Sequence, residues 1–265
     1  QGNDSAAAFA LGHHVAGLLF VLLRVIGAGI SVVVAQHLGA GQDEQARRAG
    51  SASIAASIWL GVALMAVAGL PATHWMQWMQ APADIAPAAA RLLMMMAPAL
   101  AFDACLAAQG SVLRAHLKVR MALMLSGLVQ GVQLVLAMLL MPRFGLDGFA
   151  WALLASRLVG VLLAAWMCRT ALGLQWCWRA LLKWPRADLA DVLHVGVPAA
   201  AENILYRLCA TISVAVAGSI GAATLTAQTY AFQFNALTIL PGIALGLSME
   251  ILVGHSIGQG HLRDA

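Results

Sequence analysis

The chain has 265 residues, of which 62% are hydrophobic and only 10% are charged, and its mean hydropathy is +0.84. Soluble domains carry about a quarter charged residues, so this composition excludes an ordinary soluble domain and predicts an all-α integral membrane protein. The net charge is +4, but the 15 Lys and Arg residues are scattered over short loops. No basic helix face alternates with aromatic residues, so we expect no nucleic-acid partner.

The cysteines do not indicate a disulfide or a metal site. None of the four belongs to a CxxC pair, and Cys105, Cys168 and Cys209 lie in apolar runs, where cysteine behaves as a small hydrophobic residue. The chain begins at Gln1, with no basic segment before its first apolar stretch. We therefore expect no signal peptide, and we expect the chain to be a fragment of a longer protein.

Apolar segments recur along the chain. A helix needs about 20 predominantly apolar residues to cross the hydrocarbon core of a bilayer. Seven such segments are present: Ala6–Gln36, Ile54–Leu70, Ala88–Ser111, Met121–Met141, Phe149–Met167, Leu193–Gly218 and Leu225–Val253. Turns rich in Gly and Pro separate several of them, such as "MPRFGLDG" from Met141. The sequence therefore predicts seven transmembrane helices.

Basic residues collect in the loops on one side of the predicted membrane. They follow the first, third, fifth and seventh helices, and they are Arg47, Arg48, Arg114, Lys118, Arg120, Arg169, Arg179, Lys183, Arg186 and Arg263. Lys and Arg in short loops stay in the cytoplasm. We expect a multi-pass protein of the inner (plasma) membrane, with the beginning of the chain outside and its end in the cytoplasm.

The beginning and the end of the chain resemble each other. An offset of about 219 residues aligns them without a gap and pairs Gly2 with Gly221, Ala8 with Ala227, Leu18 with Leu237, Gly27 with Gly246, Gly39 with Gly258, Gly41 with Gly260 and Ala46 with Ala265. Both copies have the same predicted orientation, which requires an even number of helices in each repeat. Counting from the first helix to the seventh gives six.

A six-helix parallel repeat predicts a twelve-helix transporter with two lobes. Residues 1–172 then form five helices of an incomplete first lobe, and residues 189–265 form the first two helices of the second lobe. Residues 173–188 connect them and contain three tryptophans among Arg and Lys. This composition indicates either an amphipathic linker on the cytoplasmic membrane surface or an ordinary loop anchored by tryptophans.

Several phrases, taken in order, resemble the multidrug and toxic compound extrusion (MATE) transporters. They are "VAQHLGAGQDEQARRA" from Val34, "QGSVLRAHLKVRMAL" from Gln109, "FGLDGFAWALLASRLVG" from Phe144, "VGVPAAAENILYR" from Val195 and "ALGLSMEILVGHSIGQG" from Ala244. The chain then corresponds to family helices two to eight. The resemblance implies two lobes that open a central cavity to either side alternately. It also implies export of amphipathic organic cations in exchange for Na+ or H+, with no other cofactor.

Six ionisable residues lie inside the predicted helices, where an unpaired charge costs about 2.5–3.5 kcal/mol. They are the acids Asp103, Glu202 and Glu250 and the bases Arg24, Arg157 and Arg207. Because acids and bases are equal in number, some or all of them could form structural ion pairs. Each acid is otherwise a candidate for binding a cation or a proton.

Glu202 has the strongest sequence case for ion coupling. It follows Pro198, which loosens the early turn of its helix, and Tyr206 lies one turn further on the same face. Together with the Asn203 amide, these groups could bind a cation or accept a proton. The family resemblance implies an acid on this helix, although Arg207 could neutralise it.

Glu250 and Asp103 have weaker cases. Glu250 precedes the glycine-containing stretch "VGHSIGQG" from Val253 by about one turn, so we expect it near the cytoplasmic surface, where it could act in gating. Asp103 lies deep in the third helix, and its simplest expected partner is Arg24. No motif assigns Asp103 a role in coupling.

The first lobe departs from the family pattern at Gln133. The resemblance implies an Asn and an Asp on this helix for the coupling cation, but Gln133 stands about where the Asp would be, with Gln130 one turn before it. An amide can bind Na+ but cannot release a proton near neutral pH. Proton coupling through this helix is therefore in doubt.

Other functions fit the sequence less well. A flippase for lipid-linked oligosaccharides, from the same superfamily, would use a cationic cavity, which Arg24, Arg157 and Arg207 could supply. A seven-helix receptor has no use for a six-helix repeat. No HExxH or GxSxG motif indicates an enzyme. We expect a monomeric antiporter whose partners are an organic cation and the lipid bilayer.

Overall fold

The computed structural model describes residues 29–78, 85–174 and 222–260, together with isolated residues between 16 and 27 and between 194 and 216. Six helices are continuous in this part of the chain. They are α1 (Gly29–Gly39), α2 (Asp43–Gly69), α3 (Ala72–Trp78), α4 (Ala86–Ala115), α5 (Val119–Leu172) and α6 (Ala222–Gly258). The isolated residues between 194 and 216 are also helical. The fold is an all-helical membrane architecture, as predicted.

Four of the described helices are long and apolar enough to span a bilayer. They are Asp43–Gly69, Ala86–Ala115, Val119–Leu172 and the part of α6 from Leu237 to Gly258. At about 1.5 Å per residue, the 54 residues of α5 are far longer than one crossing requires. This length indicates that α5 crosses twice.

Helix α5 reverses direction at Gly145. This glycine has φ 59° and ψ −133°, a backbone conformation that other residues rarely adopt. A Cβ at Gly148 would lie 2.5 Å from the Leu140 carbonyl oxygen, so the chain turns back very tightly. Residues 119–144 and 146–172 therefore form two limbs, which correspond to the predicted fourth and fifth helices.

Helix α2 begins at Asp43, eleven residues before the predicted start at Ile54. The prediction was wrong because it followed apolar residues only. Asp43 and Glu44 stabilise the first turn through the helix dipole, and Glu44 pairs with Arg48 at 3.0 Å. The polar residues of the expected loop therefore form the first turns of the helix.

Helices α2 and α4 pack closely because small residues face each other. A Cβ at Gly61 would lie 2.7 Å from the Ala101 Cα atom, and one at Gly50 would lie 3.4 Å from a Val112 methyl group. The two contacts run in opposite order along the helices, which are therefore antiparallel. Close approach of backbones through glycine and alanine is the usual way in which helices pack in membranes.

One end of the bundle gathers the basic residues, and we call it the basic end. Here α1 and α6 end, α2 begins, and α4 connects to α5 through residues 116–118. The basic residues at this end are Arg47, Arg48, Arg114, Lys118, Arg120 and Arg169. Arg263 and residues 175–188 of the predicted linker lie outside the described residues. At the opposite end, Arg91 pairs with Asp147 at 2.7 Å.

The predicted repeat is visible in the backbone at the ends of α1 and α6. Gly41 and Gly260 both have positive φ, 71° and 80°. In the first copy the Ala40 and Gly41 amides donate to the carbonyls of Gln36 and Leu38. In the second copy the amides of Gln259 and Gly260 donate to the carbonyls of His255 and Ile257. Every one of these positions matches its counterpart at the offset of 219, so the two helices end in the same conformation.

Candidate functional site

A cavity of about 320 Å³ lies between α4 and the two limbs of α5. Its wall is apolar over much of its area and polar at a few points. The lining residues are Ala16, Met96, Ala99, Leu100, Phe149 and Leu153, together with the polar Asp103, Gln130, Gln133 and Arg157. This combination suits a small amphipathic ligand, because apolar surface supplies affinity and a few polar groups fix orientation.

The centre of the cavity wall is an ion pair between Asp103 and Arg157. The Arg157 Nε atom lies 2.7 Å from the Asp103 Oδ1 atom, and both side chains are largely buried. Among the described residues Asp103 thus pairs with Arg157. The partner expected from the sequence, Arg24, lies outside the described residues, so that pairing stays a prediction. The pair joins α4 to the second limb of α5, and it satisfies a charge that would otherwise be costly at this depth.

Two glutamines from the first limb of α5 complete the polar part of the wall. Arg157 Nη1 donates to the Gln130 Oε1 atom at 3.3 Å. Gln133 lies three residues further, on the same face, and its Oε1 atom is buried with no hydrogen-bond partner among the described residues. A buried oxygen that accepts no bond costs stability, so Gln133 is a ready acceptor for a ligand or a cation.

A second cavity of about 220 Å³ extends from this cluster towards the basic end. It shares Asp103, Gln130 and Arg157 with the first cavity and also contacts Ser126 and Arg114. Asp103 and Arg114 are eleven residues apart on α4, which is about 16 Å along the helix axis. Polar side chains therefore line much of the path from the ion pair towards the basic end.

Glu250 lies on α6, near that end of the path. Its side chain is half-buried, and its Oε1 atom is buried without a hydrogen-bond partner among the described residues. Arg114 is the cation whose charge acts on this carboxylate. The structure does not bring Glu250 into the wall of either cavity, so it stays a candidate for gating.

The predicted second-lobe site is only partly described. Glu202, Asn203 and Arg207 lie outside the described residues, and the described Tyr206 is 60% exposed. Coupling through Glu202 therefore stays a prediction. Within the described part of the chain, no group of His, Cys, Asp and Glu side chains is arranged to hold a metal ion.

Sequence reasoning missed Gln109, a fully buried residue of α4. Neither its Oε1 nor its Nε2 atom has a hydrogen-bond partner among the described residues. Helices α2 and α4 are antiparallel, with Gly50 beside Val112 and Gly61 beside Ala101. Gln109 of α4 therefore lies at about the level of Ser53 of α2. The Ser53 hydroxyl is also buried and unpartnered in this part of the chain. A polar residue in an apolar run was the signal available in the sequence.

Comparison with known proteins identifies the family. The sequence model of the MatE family matches residues 2–139 and 198–265. Two relatives from Bacillus subtilis (strain 168) align with 97% of this chain: the uncharacterized transporter YisQ at 22% identity and the probable multidrug resistance protein YoeA at 24%. The chain spans 58% of the length of each.

Solved structures show the same fold. A MATE protein in its bent conformation superposes with a TM-score of 0.90 at 22% identity, and the match covers 98% of this chain and 59% of that one. An outward-facing multidrug resistance MATE transporter gives 0.88 at 23% identity, with coverage of 98% and 58%. A transporter of the MOP superfamily from Pyrococcus furiosus, described as having a binding pocket of reverse polarity, gives 0.86 at 22%, with coverage of 98% and 58%. Because the family model matches well over half of its residues, the chain belongs to the MatE family of multidrug and toxic compound extrusion transporters.

Proposed function

We propose that the protein is a secondary antiporter that exports amphipathic organic cations in exchange for Na+ or H+ by alternating access. The observation that carries this proposal is the composition of the 320 Å³ cavity. It combines an apolar wall with a carboxylate at Asp103 and an acceptor at Gln133 that has no partner in the part of the chain that the structure describes. The names of the multidrug relatives support the same class of substrate.

The ion pair provides a means of exchange. Arg157 occupies one oxygen of the Asp103 carboxylate, so an organic cation that enters the cavity competes with a charge already in the protein. The cation gains the carboxylate and the Gln133 oxygen, while Arg157 keeps its bond to Gln130. A coupling cation that binds the same carboxylate competes with the organic cation, and exchange of the two requires this competition.

The candidate coupling groups differ in the ion that they can use. Gln133 can bind Na+ through its carbonyl oxygen but cannot release a proton. Asp103 can do either, and Glu202 remains our candidate for coupling in the predicted second lobe. Among the candidates in this chain, a proton-coupled mechanism can use Asp103, Glu202 or Glu250, whereas a sodium-coupled mechanism can also use Gln133.

The described lining of the 320 Å³ cavity lacks the excess positive charge that a lipid-linked oligosaccharide would need. A pyrophosphate group needs an excess of positive charge, but the lining residues that the structure describes include one guanidinium and one carboxylate, already paired. An excess of arginine in the cavity would be needed for the flippase alternative. We therefore rank it second.

Transport in proteoliposomes tests the proposal. The protein, as its gene encodes it, is reconstituted into vesicles loaded with ethidium, and dye loss is followed after an inward Na+ gradient or an inward H+ gradient is imposed. We expect one gradient to accelerate dye loss at least about tenfold over vesicles without a gradient. Dye loss that is the same with either gradient and without one would overturn the proposal.

Two matched variants connect transport to the cavity. Asp103→Asn removes the carboxylate in the cavity, and Asp147→Asn removes a carboxylate that also pairs with an arginine but lies at the far end of the bundle. In vesicles that contain equal amounts of folded protein, we expect Asp103→Asn to abolish gradient-driven dye loss and Asp147→Asn to preserve it. Equal activity in the two variants would contradict a role for this cavity.

A further inference from the structure

The last turns of α1 and α6 contact each other in a reciprocal way. A Cβ at Gly39 would overlap the His255 carbonyl group, and a Cβ at Gly258 would overlap the Gln36 carbonyl oxygen. At the offset of 219, Gly39 is equivalent to Gly258 and Gln36 is equivalent to His255. A local twofold axis that exchanges the two copies of the repeat therefore converts the contact of Gly39 with His255 into the contact of Gly258 with Gln36.

A third contact lies on that axis. A Cβ at Gly254 would lie 3.0 Å from the Ala35 Cβ atom, and these two positions are equivalent to each other. A residue that contacts its own equivalent must lie at the symmetry axis. The three contacts together place the axis of the repeat between the last turns of the two helices.

Among the described residues, the contact lies at the basic end. Further from that end, a Cβ at Gly246 or at Gly242 of α6 would meet nothing within 4 Å. The equivalent of Gly246 is Gly27, which instead faces Ser111 of α4. Within the part of the chain that the structure describes, the reciprocal contact therefore occurs at the basic end and is not repeated between Gly27 and Gly246.

One side chain reinforces the contact. His255 Nε2 donates to the Ala115 carbonyl oxygen at 2.9 Å, which ties the end of α6 to the end of α4. The positive charge of Arg114 on α4 also acts on the Glu250 carboxylate of α6. The junction thus combines close backbone packing, a hydrogen bond and the attraction between Arg114 and Glu250.

We propose that Gly39, Gly254, Gly258 and His255 form a gate that closes the basic end between the two copies of the repeat. The glycines allow the helix ends to approach to backbone contact, and His255 holds them in that position. Opening this end requires the three contacts to separate together, since one axis relates them. The gate rests on the transport cycle proposed above but not on the identity of its substrate or coupling ion.

A distance measurement tests the gate without any substrate. The four cysteines are replaced by alanine, and spin labels are placed at the exposed residues Gln45 and Gln259 of the protein in lipid nanodiscs. Gly39→Ala with Gly258→Ala should shift the distance distribution to longer values, with loss of the shortest component. Gly246→Ala with Gly242→Ala adds the same two methyl groups to open positions on α6 and should leave the distribution unchanged. Identical distributions in the two double variants would overturn the gate.

A cross-link tests whether the contact must open during transport. Ala35→Cys with Gly254→Cys places two thiols on the axis, at a spacing that a small backbone adjustment makes suitable for a disulfide. Oxidation should abolish ethidium transport, and a reductant should restore it. Gly69→Cys with Ala97→Cys cross-links α2 to α4, whose Cβ positions are 3.3 Å apart, and should leave transport intact.

Continued transport with the Ala35–Gly254 pair cross-linked would rule out a moving gate at this position. If the unmodified protein moves no ethidium under either gradient, the proposed substrate class fails while the spin-label experiment still decides the gate. The two proposals are thus tested separately.

Discussion

The Arg157 Nε atom lies 2.7 Å from the Asp103 Oδ1 atom, although the two residues belong to different helices and are 54 positions apart in the sequence. The pair is largely buried in the wall of the cavity between α4 and α5. It connects the stability of the bundle to the candidate binding site, because the same two side chains hold the helices together and line the cavity.

Removal of one partner of this pair should strongly destabilise the protein. Arg157→Met leaves the Asp103 carboxylate buried without its cation, which typically costs about 3–5 kcal/mol of unfolding free energy. Thermal unfolding in detergent, followed by tryptophan fluorescence, measures the effect. The double variant Asp103→Asn with Arg157→Met should recover much of the loss.

The pair between Arg91 and Asp147 provides the control. Its geometry is similar, with 2.7 Å between Nη2 and Oδ2, but Arg91 is 70% exposed. Removal of an exposed pair costs about 0–1 kcal/mol. If Arg91→Met destabilises the protein as much as Arg157→Met, burial is not the reason for the effect.

Gln133→Leu should impair transport without reducing stability. The substitution removes a buried acceptor that has no partner in the described part of the chain, so the folded state loses no hydrogen bond there. We expect the KM for ethidium to rise about tenfold, equivalent to one lost hydrogen bond of about 1.4 kcal/mol. Unchanged transport in vesicles would show that the Gln133 oxygen does not contact the substrate.

Gln109→Met should raise the unfolding temperature. The fully buried Gln109 amide has two polar atoms without partners among the described residues, and leaving such a group unsatisfied costs about 1–3 kcal/mol. Methionine fills a similar volume without polar groups. A lower unfolding temperature would instead reveal a bound water or another partner for the amide.

Gly61→Ala should destabilise the contact of α2 with α4. The new Cβ would lie 2.7 Å from Ala101 Cα and 2.8 Å from Ala104 Cβ, so the helices must move apart, at a cost of about 1–3 kcal/mol. Gly127→Ala is the matched control, because its Cβ meets nothing within 4 Å. We expect Gly127→Ala to be neutral or to stabilise by up to about 1 kcal/mol. Equal unfolding temperatures for the two variants would contradict the close packing.

His116 should make stability depend on pH at the basic end. Burial lowers the pKa of His116 below its ordinary value of 6.5, against the opposing effects of the Val112 carbonyl and Asp43. The unfolded chain therefore binds the proton at a higher pH than the folded protein does. The stability that neutral His116 contributes is complete above pH 6.5 and is lost as the pH falls towards the lowered folded pKa.

His116→Asn tests this dependence. Asparagine does not titrate, and its amide can replace the hydrogen bond from His116 Nδ1 to the Val112 carbonyl oxygen. Unfolding temperatures are measured between pH 8 and pH 5 for both proteins. We expect the original protein to lose more stability than the variant below pH 6.5, and parallel curves would contradict the prediction.

Much of the architecture could be predicted because it depends on local properties of the chain. Apolar length predicts the membrane segments, and the offset of 219 predicts that Gly41 and Gly260 occupy equivalent positions, which their positive φ values confirm. The start of α2 at Asp43 was predicted wrongly, because a helix continues past the bilayer wherever its polar residues favour helical structure. Hydropathy marks the part of a helix that lies in lipid and not the whole helix.

The sequence by itself determined the number and order of the membrane helices, the loops that carry basic residues and the existence of a repeat, since each follows from composition, charge or spacing along the chain. Only the tertiary structure decided that Asp103 pairs with Arg157, that the Gln133 oxygen lies in a cavity without a partner among the described residues, and that Gly39 and Gly258 contact opposite helices. Those relationships depend on which faces of distant helices meet. In a membrane, almost every helix face is apolar, so the pattern of one helix does not specify its neighbour.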